Sequence, residues 1–404
     1  MDEDKVINHR YQIQAELGKG GYGQVFKVLD LVKRFDVALK IDINSKGSVL
    51  QEAKILKELQ GGEGIPKLYD TGKTPTSTYM VIQILGPSLS LSLKTMGSYN
   101  INTVTLIMLQ AISRIEYVHS KGYIHRDIKP QQFLIGPQST LYLVDFGIAK
   151  KFIIDNCHIS FQSQCSRVGS CSYASINSHI GIRLSRRDDF ESLVYMGIFL
   201  IRKFLPWFQD KRLDDNRKWS NAFQIKRDIS EQDLFHSCPK QFAIMLSYIR
   251  SLKFEERPDY EYLRELINSI RNELSLTSTV LGLNFVSRKP YTVIVKKNED
   301  ELKKLMDSSH EEMKSHNKRR PKKSRTLIGH NKNNDLSDKF LKIPTMKESR
   351  YSISGNVSGS STKPITQNEE TIRNIYPEFT NRKKLFNSYN SFKSQFRSNS
   401  ICKT

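Results

Sequence analysis

Apolar positions near the start of the chain alternate as a half-buried strand requires. Phe26, Val28 and Asp30 fall on one side of a zigzag whose other side carries Val25, Lys27 and Leu29. Val37-Ala38-Leu39-Lys40-Ile41 is a second short, mostly apolar run, so residues 11–43 are expected to be strands. The period then changes. Val49, Ala53, Leu56 and Leu59 recur at helical spacing over residues 48–60, and Gly61-Gly62-Glu63-Gly64 ends the segment. Residues 79–85 read as one more buried strand. From Asn102 onward the stripe Val104, Ile107, Met108, Ala111, Ile112, Ile115 and Val118 marks a long helix, and further helices are expected over 188–204, 240–251 and 259–272. A strand-rich first part followed by a helical second part predicts an α+β chain of two lobes.

The pattern weakens after residue 275. Residues 276–295 retain Val280, Leu281, Leu283, Phe285 and Val286 and are read as an extension that packs on the domain. Beyond Lys296 the chain is rich in Lys, Asn and Ser and is expected to be disordered, because it has too little apolar surface to bury. Charge follows the same division. Residues 288–404 carry 26 Lys+Arg against 12 Asp+Glu, so most of the net charge of +21 belongs to the tail. Lys318-Arg319-Arg320-Pro321-Lys322-Lys323-Ser324-Arg325 is its densest basic run. This run fits a nuclear localisation signal, a nucleic-acid contact or an anionic lipid surface, and equally a merely solubilising stretch.

No run of about 18 apolar residues predicts a membrane span, and the polar residues 1–10, read as a short N-terminal extension, do not resemble a secretory signal. The five cysteines form no CxxC pair, which fits reduced thiols. The expected location is cytoplasmic, nuclear or both. A monomer is favoured, although composition fixes no oligomeric state.

Four motifs in order carry chemistry. Gly18-x-Gly20-x-x-Gly23 alone also fits a dinucleotide fold or a plain hairpin, but residues 24–29 continue as a strand rather than a helix. A glycine loop between strands lets backbone approach phosphate oxygens closely. Lys40 ends a buried strand and needs an anionic partner; the phosphates of ATP and Glu52 on the next helix supply two. In His125-Arg126-Asp127-Ile128-Lys129-Pro130, Asp127 is placed to orient a substrate hydroxyl and accept its proton, and Lys129 to neutralise the transferring phosphoryl group. Asp145-Phe146-Gly147 supplies a carboxylate for Mg²⁺. Together these predict a kinase domain over 11–275, divided near residue 85, using ATP and Mg²⁺ on protein substrates. Positioning and charge do most of the catalysis in such a site.

With these residues in view, the chain resembles the casein kinase 1 family and its relatives, the tau-tubulin and vaccinia-related kinases. The resemblance rests on Gln60-Gly61-Gly62-Glu63-Gly64-Ile65-Pro66, Leu85-Gly86-Pro87-Ser88-Leu89 and above all Tyr173-Ala174-Ser175-Ile176-Asn177-Ser178-His179, where most kinases have Ala-Pro-Glu. Arg186-Arg187-Asp188-Asp189-Phe190-Glu191-Ser192-Leu193, Leu205-Pro206-Trp207 and Arg257-Pro258-Asp259-Tyr260 continue it over residues 10–272. It implies a bilobal kinase fold and, from Lys129, phosphorylation of serine or threonine. It also implies an adenine site lined by Leu17, Val25, Ala38 and Leu134, with Ile82 as gatekeeper and Leu85 as the hinge residue that hydrogen-bonds the base. Asp189 is expected to anchor the catalytic loop.

Two positions depart from the family pattern. Gln132 stands where the family has Asn as the second Mg²⁺ ligand, so the alternatives are an active kinase and a kinase-fold binding or scaffold module with feeble turnover. Ser172 stands where the family has an Arg that binds phosphate on primed substrates, which removes the basis for a primed preference. Arg126, Arg187, Lys226 and Arg227 remain as candidates for an acid-binding surface, or as solvated helix charges.

Overall fold

The computed structural model describes residues 6–20, 23–42, 48–208 and 212–283. The basic run 318–325, the expected disorder beyond 296 and the later part of the expected extension lie outside the described residues.

The first part is an antiparallel sheet built from β1 (Val6–Ile7), β2 (Tyr11–Gly20), β3 (Gly23–Asp30), β4 (Phe35–Asp42), β5 (Leu68–Lys73) and β6 (Thr78–Ile82), in the spatial order β1-β2-β3-β4-β6-β5. Strand β3 shows the alternation read from the sequence: Phe26, Val28 and Asp30 are buried, whereas Val25, Lys27 and Leu29 are half-buried. Strand β4 lies between β3 and β6 and is buried on both faces. Val37 and Leu39 join Tyr11, Phe26, Val28, Tyr79 and Val81 in the core on one side. Successive strand side chains point to opposite faces, so Ala38 and Lys40 share the other face. Helix α1 (Ser48–Glu58) buries Val49 and Ala53 against Met80 of β6, while Ile55 and Leu56 reach the core of the second part. The expected strand over 79–85 ends at Ile82. Beyond it Gln83 N–H bonds Lys67 O and Gly86 N–H bonds Ile135 O, so the chain leaves the sheet ladder for the second part.

That part is helical, with α2 (Leu89–Met96), α3 (Ile101–Ser120), α4 (Ile176–His179), α5 (Arg186–Arg202), α6 (Asp215–Asp228), α7 (Glu231–Leu234), α8 (Lys240–Ser251) and α9 (Tyr260–Glu273). Short strands β7 (Tyr123–Ile124), β8 (Phe133–Ile135), β9 (Leu141–Leu143) and β10 (Lys150–Lys151) carry the loops of the site. Helix α3 begins where the Asn100 side chain accepts from Thr103 N–H, and its predicted apolar stripe is buried throughout. Helix α5 begins where the Asp188 side chain accepts from Ser185 N–H, and it is buried on nearly every face. Past α9, Leu281 and Leu283 pack into the same core, and the Ser139 hydroxyl donates to Leu283 O. Among the described residues no helix is long and apolar enough to cross a membrane.

Candidate active site

Lys40 leaves β4 on its cleft-facing side and meets two carboxylates, Glu52 Oε2 at 2.6 Å and Asp145 Oδ1 at 2.8 Å. Burial works against the Lys40 ammonium, but these two neighbours raise its pKa above the ordinary lysine value. Glu52 is buried deepest and shares its cation with Asp145, so burial pushes its carboxyl up to about 7 despite Lys40. Burial opposes ionisation of Asp145 too; Lys40 outweighs it and holds that carboxyl below the ordinary range. Of the two acids, Glu52 is therefore the one that takes up a proton on acidification.

The loop that carries Asp127 is fastened from below. Asp189, in the first turn of α5, accepts from His125 N–H and Arg126 N–H, both at 2.8 Å, and its Oδ2 lies 2.9 Å from His119 Nε2. Arg126 has φ of 70°, a conformation that non-glycine residues adopt only under constraint, and the Asp189 carboxylate supplies it. His125 is then locked by chemistry at both ring nitrogens. Its Nε2 faces Val144 O at 3.0 Å and so carries the proton, leaving Nδ1 to accept from Asp127 N–H at 3.3 Å. Phe146 packs edge-on against the His125 ring, tying the loop that carries Asp127 to the one that carries Asp145.

At the centre, Lys129 Nζ donates to Asp127 Oδ2 at 2.5 Å and to Ser170 Oγ at 2.8 Å. Gln132 Nε2 donates to Asp127 Oδ2 at 3.2 Å and to Asp145 Oδ2 at 2.9 Å. Both neighbours of that amide are carboxylates, which only accept, so its NH₂ end must face them. The buried Asp127 Oδ1 has no hydrogen-bond partner among the described residues. That unpaired carboxylate oxygen and the neighbouring Asp145 carboxylate form an oxygen-donor set that suits a small hard cation. Asp145 and the carbonyl end of Gln132 are the groups able to hold Mg²⁺. For Gln132 this means turning its amide over and giving up both bonds to the carboxylates.

Leu17, Gly18, Gly20, Gly23, Val25, Ala38, Ile82 and Leu134, the strand residues expected at a nucleotide site, lie on β2, β3, β4, β6 and β8. Gly18 and Gly20 end β2, and Gly23 opens β3 with φ of 140°; a Cβ there would lie 2.2 Å from Ile41 O. A strand follows the glycines, which removes the dinucleotide alternative. Val25 pairs with Lys40, and Ala38 pairs with Ile82. Leu17 is partly exposed on β2. Leu134 on β8 bridges to Ser88, and Ile135 is bonded to both Gly86 and Pro87, so the link after β6 is lashed to β8.

The structure corrects one expectation. Lys226 belongs to no acid-binding surface: it is buried and donates to backbone carbonyls of the loop 170–174. Of the other three basic residues, Arg126 donates through Nε to Ile148 O, Arg187 donates to Leu252 O, and Arg227 pairs with Asp228. Ser170 and His119 were not singled out from the sequence, since a lone serine and a lone helix histidine carry no pattern.

Residues 11–270 match the family model of the protein kinase domain.

Proposed function

From the premise that this chain belongs to the protein kinase domain family, matched over residues 11–270, we propose that it is an active serine/threonine kinase of the casein kinase 1 type. The observation that carries this reading is the position of Lys129, whose Nζ touches both the Asp127 carboxylate and the Ser170 hydroxyl. A cation there neutralises charge on a phosphoryl group moving toward a hydroxyl held by Asp127. Kinship to casein kinase 1 is supported by two of the segments that suggested it, because they bond to each other. Ser175 Oγ and Asn177 Nδ2 both donate to Asp188 Oδ1, at 2.7 and 2.9 Å.

In this mechanism the free Asp127 Oδ1 orients the substrate hydroxyl and takes its proton as the oxygen attacks the terminal phosphorus of ATP, and ADP departs. Lys40, held by Glu52, binds the α- and β-phosphates. Ala38, Val25 and Leu134 enclose the adenine, and the Leu85 backbone hydrogen-bonds it; among the described residues nothing else engages that N–H or C=O. Mg²⁺, when bound, neutralises phosphate charge beside Asp145 and Gln132.

The contrary reading, a kinase fold with feeble turnover, draws on one feature. The longer Gln132 arm already satisfies both carboxylates through its nitrogen. Phosphate transfer from ATP to casein by wild type, Gln132→Asn and Asp127→Asn separates the two. The proposal expects wild type within about tenfold of Gln132→Asn and at least about a hundredfold above Asp127→Asn. A wild type no faster than Asp127→Asn, with transfer restored only by Gln132→Asn, would establish the weakened kinase.

A further inference from the structure

A lysine with no carboxylate in contact lies at the back of the loop that faces Asp127. Lys226, on α6, is 1% exposed. Its Nζ donates to Cys171 O at 2.9 Å and Ala174 O at 2.7 Å, and its third contact is His179 Nε2 at 3.1 Å. The His179 Nδ1 faces Trp219 O at 3.1 Å, so Nδ1 carries the ring proton and Nε2 is free to accept. All three ammonium hydrogens therefore have acceptors. The same nitrogen sits 4.9 Å from the ring centres of both Tyr195 and Trp207, within range of a cation–π attraction.

The carbonyls it holds belong to the segment that borders the reacting atoms. A Cβ on Gly169 would lie 2.5 Å from Arg126 O and 3.6 Å from Asp127 Oδ1, so the loop starts against the catalytic carboxylate. Ser170 is bonded to Lys129. The Trp207 indole N–H donates to Ser172 O at 2.6 Å. Between Ser170 and Ala174 the loop is thus fixed by Lys129 in front and by Trp207 and Lys226 behind. Asp127 Oδ1, which receives the substrate hydroxyl in the proposed mechanism, faces the start of this segment.

We infer that Lys226 is a positioning residue for the protein substrate: it sets the backbone of residues 170–174, against which the acceptor peptide lies. The inference rests on the kinase reading. It assigns to Lys226 the placement of the protein acceptor and no part in binding ATP. Burial without a touching carboxylate pushes the Lys226 ammonium down to about 7, with Cys171, Glu191 and Arg250 the other titratable or charged groups acting on it besides His179. An apolar side chain would suit that environment better, which makes the retained cation notable as a loop fastener rather than a packing element.

The test compares full-length wild type, Lys226→Met and Lys226→Gln. Methionine matches the lysine stem in length but removes every donor; glutamine keeps amide hydrogens on a side chain shorter by about 1.5 Å. Expected for Lys226→Met is a casein KM raised about tenfold, as the lysine's three hydrogen bonds to the loop and His179 are lost, with the KM for ATP unchanged. Lys226→Gln should fall between the two. Amide exchange at residues 170–174 should be faster in Lys226→Met, and exchange in α3 unchanged. An active wild type with the same casein KM in Lys226→Met overturns the inference, as does a parallel rise in both KM values. If Lys226→Met does not fold, Lys226→Gln decides by the same split. If wild type transfers no phosphate, the kinase reading fails, and exchange alone then judges the loop contact: equal exchange at 170–174 overturns it.

Discussion

Asp188 and Asp189 are adjacent buried carboxylates at the start of α5, yet their replacement by asparagine should have very different consequences. Asp189 accepts from two backbone N–H groups, one on each oxygen, and its Oδ2 also faces His119 Nε2. Backbone donors cannot reverse. Either orientation of an asparagine amide turns its NH₂ toward His125 N–H or Arg126 N–H and leaves one of them buried and unpaired. That costs about 1–3 kcal/mol, and the surviving bond loses its charge assistance, about 1 kcal/mol more. Asp188 Oδ2 accepts from Ser185 N–H, while Oδ1 accepts from the Ser175 hydroxyl and the Asn177 amide. A hydroxyl rotates and an amide flips, so an asparagine can keep its oxygen on Ser185 and donate to the other two. Burial also raises the Asp188 pKa, whereas Asp189, though burial opposes its charge, is held low by His119 and the His125 backbone. Asp189→Asn is expected to lose about 3 kcal/mol and Asp188→Asn less than about 1, measured as urea midpoints at unchanged slope. Asp189→Asn should also lower transfer, because Arg126 is released from its constrained φ beside Asp127. Equal losses in the two variants, or less than about 1 kcal/mol for Asp189→Asn, would refute this account of how the catalytic loop is held.

Lys40→Met should reduce phosphate transfer by about a hundredfold or more in a steady-state assay. The circular dichroism spectrum should be retained, because Glu52, already up at about 7, takes up a proton in place of the lost cation. The Lys226 ammonium is near 7 folded against an ordinary 10.5, so the unfolded chain binds more protons between those values. The stability of wild type relative to Lys226→Met should therefore rise with pH across that window, by up to about 1.4 kcal/mol per unit, and be flat below it. Urea midpoints of both proteins at pH 7, 8 and 9 read this directly; a constant difference would mean that burial does not depress the lysine.

What the sequence revealed, and what it hid, follows from how each element buries itself. Strand β3 and helix α3 pack one apolar face on a core, so their periods are plain. Helix α6 buries only Ala222 and Lys226 across its 14 residues, so no apolar stripe marks it. Helix α2 reads Leu-Ser-Leu-Ser-Leu, a strand-like alternation, and is a helix because Ser88 and Gly97 cap its ends. The acidic and basic side chains of the site were legible because their motifs are contiguous. The contacts that order them were not: Ser170 lies 41 residues from Lys129, and His119 lies 70 from Asp189. Lys226 was misread for the same reason, since a lysine in a polar helix gives no sign that its nitrogen points inward.

The identity of the phosphorylated residue distinguishes a serine/threonine kinase from the other readings. Casein labelled from γ-radiolabelled ATP by wild type, then hydrolysed in acid, should yield phosphoserine and phosphothreonine, with both lost in Asp127→Asn. Label confined to phosphotyrosine, or label no greater than that left by Asp127→Asn, would contradict it.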